Sequence, residues 1–190
     1  MPLPAFEPVA STRPTIRPIK ETDLADLLEV DGDPAVTRFL PYDTWQSVED
    51  GKTWLVRMTA LAQAGTGQQF VLEINQSRTV VGTVLLFRYD ESSQRAELGY
   101  VLGRKYWQQG LMREALERFV TYCFASLGLR RLEAEVNPVN EASNTLLVRL
   151  GFTNEGTLRE RWTTKDAAYD THIYGILSRE WPVLHRRAPA

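Results

Sequence analysis

Polar and apolar residues alternate over residues 15–19 (Thr-Ile-Arg-Pro-Ile), the mark of a short edge strand, where Pro18 is tolerated. The period then lengthens. Leu24, Leu27 and Leu28 recur at helical spacing after Thr22, and Gly32 ends the run. Trp54, Leu55, Met58 and Leu61 mark one face of a second helix, which Ser47 and Asp50 can cap and Gly65 closes. Between the two helices, residues 34–46 have no period but carry Phe39, Leu40, Pro41, Tyr42 and Trp45. So many large apolar groups read either as a loop folded onto the core or as the wall of a substrate cleft. Two β-rich runs, 70–74 and 80–87, flank a polar turn and form a hairpin. Gly82 inside the second run signals a bulge or a close backbone approach. Residues 95–102 follow a polar loop at 90–93 and complete an antiparallel meander.

Beyond residue 102 the spacing changes to three and four. Leu111, Ala115, Leu116, Phe119, Val120, Cys123 and Phe124 define a long amphipathic helix, with Gly128 as its stop. A strand at 132–136 follows. Then comes a helix at 141–150 with Leu146, Leu147 and Leu150 inward, closed by Gly151. Two strands, 152–162 and 169–177, end the pattern. Strand–helix–strand over 95–136 implies a parallel pair with a right-handed crossover. The expected fold is therefore α+β (mixed α/β), with helices on both faces of a central, mixed but mostly antiparallel sheet. One domain is expected over 14–181, after a flexible, proline-rich arm at 1–13 and before a dispensable tail at 182–190 that begins around Glu180 and Trp181.

Composition narrows the function. A chain of 190 residues can bury a full core without disulfide or metal staples. With 43% hydrophobic and 24% charged residues it reads as an ordinary soluble domain. A net charge of -2 makes a broad basic surface improbable, so neither nucleic acid nor an anionic membrane is expected as a partner. Cys123 is the one cysteine, which excludes an intrachain disulfide and a cysteine-only metal site. His172 and His185 are far from it in sequence, and no metal is expected. The N-terminus has neither the basic start nor the apolar run of a signal peptide, and no stretch approaches the roughly 18 apolar residues of a membrane span. A cytoplasmic protein, monomer or homodimer, fits these features.

Candidate chemistry begins at 106–115, where a strand gives way to the long helix. The first N–H groups of a helix have no internal partner, and with the helix dipole they attract anions. Gly110 removes a side chain where a ligand would approach the backbone. On local grounds a plain turn explains the glycine as well. The stretch has neither the three glycines of a dinucleotide fingerprint nor the Gly-Lys-Ser/Thr of a Walker loop.

Four segments go further: Glu97-Leu98-Gly99-Tyr100, Trp107-Gln108-Gln109-Gly110-Leu111-Met112, residues 137–144, and Gly151-Phe152. With them the chain resembles the GNAT acetyltransferases, most closely the RimJ/RimL-like N-terminal acetyltransferase branch, from about residue 15 to 181. The resemblance implies a GNAT-like three-layer fold and acetyl-CoA as co-substrate. It places the pyrophosphate on the backbone amides of Gln108, Gln109, Gly110, Leu111, Met112 and Arg113. It lays the pantetheine arm along Tyr100, Val101 and Leu102, like an added strand. Asn137 and Ser143 match family positions that contact the pantetheine or the acetyl end. The chain departs from the family pattern at Trp107, where Gln or Arg is usual, at Met112, where a small residue is usual, and at Leu147, where many members carry the tyrosine that protonates the leaving sulfur.

Acetyl transfer to an amine needs a proton acceptor, a donor for the developing oxyanion and a proton for the leaving thiolate. With two bound reactants, direct attack needs no acyl-enzyme. Glu97 is the candidate base, directly or through water, against the alternative of an outward strand residue with a charge partner. Ser143 is the candidate acid in place of the missing tyrosine, against helix capping or a cofactor hydrogen bond. Asn137 is either a cofactor contact or an Asn-Pro turn initiator. Cys123, on the apolar helix face, reads as an inert buried thiol. Trp45, Trp54, Trp162, Tyr169 and His172 could line the acceptor side, and Glu155, Glu160 and Asp170 could attract a cationic amine; burial and solvated charge explain them equally. The expected acceptor is a protein or peptide N-terminal amine. The alternatives are a small amine (polyamine, aminoglycoside or amino-acid-like compound) and a non-catalytic acyl-CoA sensor.

Overall fold

The computed structural model describes residues 6–164 and 167–181. Eight strands form one sheet: β1 (Val9–Ala10), β2 (Pro14–Pro18), β3 (Gln68–Ile74), β4 (Val80–Asp90), β5 (Arg95–Leu102), β6 (Arg131–Val136), β7 (Thr153–Thr164) and β8 (Ala167–Leu177). Their spatial order is β1-β2-β3-β4-β5-β6-β8-β7. Every neighbouring pair is antiparallel except β5 and β6, the parallel pair that the strand–helix–strand pattern implied. Helices α1 (Leu24–Asp31), α2 (Pro34–Thr37) and α3 (Val48–Gln63) precede β3. Helix α4 (Leu111–Ala125) joins β5 to β6, and α5 (Glu141–Arg149) joins β6 to β7.

Two cores give the three layers. On one face Leu24, Leu27, Trp45, Trp54, Val71 and Val80 pack α1 and α3 on the sheet. On the other, Leu116, Phe119 and Val120 of α4 and Leu147 of α5 meet Phe70, Leu98, Leu132 and Ile176 of the strands. Each apolar stripe buries because it recurs at the period of its element. Asp50 accepts hydrogen bonds from the backbone N–H groups of Gln46 (2.7 Å) and Ser47 (3.0 Å), which fixes the start of α3. No described helix is long and apolar enough to cross a membrane.

Three expectations change. From Phe6 onward the arm expected at 1–13 is docked: the Phe6 ring lies 4.0 Å from that of Phe70 and 4.6 Å from that of Tyr122, and Val9–Ala10 pairs with β2. That pairing makes β2 an inner strand. Residues 34–46 are not wholly irregular, since Asp33 caps α2 by accepting from the Ala35 N–H at 2.8 Å. Trp181 is buried, and its Nε1 donates to Thr121 Oγ1 at 2.9 Å, so it belongs to the core rather than to a tail. Residues 182–190 lie outside the described residues.

The sheet opens at its centre. β5 and β6 pair only through Arg95, Ala96 and Glu97 with Arg131, Leu132 and Glu133. Past that point β5 stays with β4 and β6 with β8, so the β6-facing edge of residues 98–102 is left unpaired. Gly82 supports the opening from beside it. A Cβ there would collide with the Val101 carbonyl oxygen, and the β3–β4 register slips next to it, so both readings of this glycine hold.

Candidate active site

A cleft of about 1320 Å³ occupies the gap between β5 and β6. Its lining includes Glu97, Tyr100, Val101 and Leu102 of β5, Gln108, Gly110, Leu111, Met112 and Arg113 at the start of α4, and Asn137 and Ser143 beyond β6. The structure thus brings these candidates together. Gln109 is the exception, because it sits on the back of its loop.

The loop before α4 is shaped to leave donors free. Gln108 and Gly110 both take left-handed backbone angles, φ 59° and 75°. For Gln108 this costs roughly 1 kcal/mol, and such strain concentrates at functional sites. No described side chain caps α4. The first helical N–H with a partner is that of Glu114, bonded to the Gly110 carbonyl at 3.0 Å, so those of Leu111, Met112 and Arg113 are open among the described residues. Trp107 folds back, its Nε1 donating to the Leu102 carbonyl at 2.7 Å.

Glu97 sits where the sheet begins to divide, 6% exposed. Burial pushes its pKa up to about 7; Arg88 opposes this, and the nearby Glu135 and Glu133 carboxylates add to it. Arg88 Nη1 donates to Glu97 Oε2 at 2.5 Å and to Glu135 Oε1 at 2.8 Å. Glu135 is also pushed up by partial burial. The Trp162 indole N–H, 2.6 Å from Oε2, together with Arg88 and Arg161 outweighs that and holds it below the usual range. Two neighbouring carboxyls are thereby driven apart, one half-protonated near neutrality and one ionised, which is the pattern of an acid–base site. Glu97 has the charge partner that the alternative of an outward strand residue required, yet it lines the cleft. Arg88 and Glu135 were missed in the sequence, although Glu133 and Glu135 alternate with the core residues Leu132, Ala134 and Val136, a period of two that assigns them to the opposite face.

Ser143 Oγ lies 2.7 Å from the Tyr100 hydroxyl. The helix cap is made by its backbone N–H, which donates to Asn140 Oδ1 at 3.2 Å, so the side chain is free of that task. Burial pushes the Tyr100 phenol well above its ordinary range, while the Ser143 contact pulls the other way. Asn137 Oδ1 accepts from the Val139 N–H at 3.0 Å, the turn that its Asn-Pro sequence suggested, within the cleft lining. Leu147 is fully buried in the core. Cys123 is buried as well, and burial pushes its thiol pKa up.

Of the acceptor candidates, Trp54, Trp162 and Tyr169 line the cleft, beside Arg38, Phe39, Tyr42, Arg57 and Met58. Trp45 is buried in the α1–α3 core. His172 faces the α5 side, with Nδ1 3.0 Å from Asn144 Oδ1. Glu155 is paired with Arg131, and Asp170 accepts from the Glu160 N–H at 3.0 Å; none of the acidic candidates Glu155, Glu160 and Asp170 lines the cleft, whose carboxylates are those of Glu97, Glu135 and Glu141. Among the described residues no group of three His, Cys, Asp or Glu side chains is placed to hold a metal ion.

Comparison with known proteins adds to this geometry. A family model described as an acetyltransferase (GNAT) domain matches residues 13–153. An N-acetyltransferase p20 from Bacillus licheniformis is 31% identical over 93% of this chain and 99% of its own length. A ribosomal-protein-serine acetyltransferase from Escherichia coli is 29% identical over 68% of this chain and 71% of its own. Among solved structures, RimJ from Mycobacterium smegmatis in complex with CoA-disulfide shares the fold with a TM-score of 0.82, at 23% identity over 91% of this chain and 87% of that one.

Proposed function

The chain belongs to the GNAT family of N-acetyltransferases, and from that premise we propose that it moves an acetyl group from acetyl-CoA to the N-terminal amine of a protein or peptide, by direct attack with both substrates bound. One observation carries this reading: a single cleft joins the uncapped start of α4, the unpaired edge of β5 and the buried carboxyl of Glu97.

Acetyl-CoA, when bound, supplies the activated thioester. The open N–H groups of the 108–113 loop, with Gly110 keeping its front clear, suit the pyrophosphate. The free edge of Tyr100, Val101 and Leu102 suits the pantetheine amides, and Asn137 and Ser143 stand across the gap. Glu97, poised near neutrality, takes the proton that the amine must lose. A backbone N–H near Val101, on the edge of β5 that β4 leaves free, serves the developing oxyanion. The Ser143 hydroxyl, linked to Tyr100, delivers a proton to the departing sulfur.

Two features favour a polypeptide acceptor over a polyamine. The cleft is large and open, and its acceptor side carries Arg38 and Arg57, neither with an ion-pair partner among the described residues. Two guanidiniums repel a polycation. The name of the Escherichia coli relative, an acetyltransferase of a ribosomal-protein serine, agrees with this choice. A cytoplasmic setting suits the single buried thiol.

The test is CoA release from acetyl-CoA with peptides of varied first residue, the same peptides with blocked N-termini, and a set of polyamines and aminoglycosides. A thermal-shift titration with acetyl-CoA accompanies it. Release with free but not blocked termini is the expected result. Release with small amines alone would name a different acceptor class, a thermal shift with no turnover on any amine would favour a sensor, and the lack of any thermal shift would overturn the reading.

A further inference from the structure

Arg13 comes from the segment that the sequence treats as an arm, and it is not part of the cleft lining. The structure seats it against the back of the loop before α4. Its backbone N–H donates to Glu114 Oε1 at 2.8 Å, its Nε to Glu114 Oε2 at 2.7 Å, and its Nη1 to the Gln109 carbonyl at 2.9 Å. The rest of the guanidinium lies along Gly110, where an added Cβ would stand 3.6 Å from Nη2.

A trans peptide unit is planar, so the Gln109 carbonyl and the Gly110 N–H point in opposite directions. Gripping the carbonyl from behind turns the N–H forward. Behind is Arg13 with Gln109, and in front is the cleft, which Gln108 and Gly110 line. No acceptor for the Gly110 N–H is found among the described residues. The two left-handed residues that flank Gln109 make this conformation one that needs holding. Glu114 would also place a negative charge in the first turn of the helix that is to receive an anion. Arg13 neutralises it there.

We propose that Arg13 is a positioning residue for the pyrophosphate of the co-substrate: it aims the Gly110 N–H at the anion and cancels the Glu114 charge behind it. This rests on the acetyl-CoA reading above. A guanidinium is suited to the task because its rigid fork can hold a carboxylate and a carbonyl at once, which an ammonium group cannot reproduce.

The experiment compares acetyl-CoA with S-acetyl-pantetheine, which has the same thioester and no pyrophosphate, for the wild type, Arg13→Ala, Arg13→Lys and Glu114→Gln. The expected result for Arg13→Ala is a KM for acetyl-CoA about tenfold higher, the loss of one charge-assisted contact network, with kcat kept. Its kcat/KM for S-acetyl-pantetheine stays at the wild-type value. Arg13→Lys keeps a charge near Glu114 but loses the fork, so it shows a smaller shift of the same kind, and it carries the comparison if Arg13→Ala does not fold. Equal losses with both thioesters, or an unchanged KM for acetyl-CoA, would overturn the inference. A wild type that binds no acetyl-CoA would bring down the functional reading itself, a separate outcome.

Discussion

The Arg88 guanidinium touches Glu97, 2.5 Å from Nη1 to Oε2, and still leaves that carboxyl raised to about 7, because burial outweighs the ion pair. A protein that needed only an ion pair here could keep Arg88 on Glu135 alone.

That relationship predicts a pH profile. The folded Glu97 carboxyl holds its proton more tightly than an unfolded one, so its stabilising contribution is largest below about pH 4.5 and is lost as the pH rises through about 7. The loss is on the order of 3 kcal/mol. Glu97→Gln removes a carboxylate that is buried at a cost, so its Tm at pH 8 should rise by several degrees while turnover falls about a hundredfold or more. In the wild type kcat/KM should climb with a midpoint near pH 7, and Arg88→Gln should move that midpoint upward, since Arg88 pulls the pKa down. Normal turnover in Glu97→Gln with a lowered Tm would make the residue a structural ion-pair member.

Ser143→Ala should lower kcat roughly tenfold or more while leaving acetyl-CoA affinity near its wild-type value. The α5 cap is a backbone contact and survives the change. A thioester with a more acidic leaving thiol needs less protonation, so it should recover most of the lost rate. An equal deficit with both thioesters would assign Ser143 a packing role.

Asp31 is fully buried, with Oδ2 unpaired and Oδ1 accepting from the Tyr42 hydroxyl at 3.1 Å. Burial raises its pKa from 3.8 to about 6, against the pull of Tyr42. Its contribution is therefore present below about pH 4 and is lost as the pH rises through 6. Asp31→Asn should be more stable than the wild type at pH 8, by up to about 3 kcal/mol, with the gap closing near pH 4. Thermal melts across that range decide it. A constant difference would mean that the carboxyl does not titrate there.

Trp181→Ala should cost about 3–5 kcal/mol in chemical denaturation, the range for deleting a large buried aromatic. It also removes the Nε1 donor from the Thr121 hydroxyl on α4, which keeps its own bond to the Glu117 carbonyl at 2.8 Å. A neutral result would restore the reading of this residue as the start of a tail.

Much of the fold was legible in the sequence. The period of two along β5 and β6, the spacing of three and four along α4, and the long crossover between them were enough to specify a parallel pair within an antiparallel sheet. The loop proposed to take the pyrophosphate showed itself through Gly110, whereas the left-handed turn at Gln108 did not, since glutamine has no preference that would signal it. The docking of residues 6–13 was hidden as well, because a two-residue strand and one phenylalanine have no period to read.

What the sequence by itself determined is the order and kind of the elements other than β1 and α2, and the family resemblance, for these depend on local periodicity and on motifs a few residues long. The tertiary structure alone decided which carboxyl is raised and which is lowered, that Arg88 lies between them, and that Arg13 braces a loop 96 residues further along the chain. The reason is physical. Burial and Coulomb interactions depend on distances in space, and Glu97 and Glu135 meet Arg88 only after three strands have taken their places in the sheet.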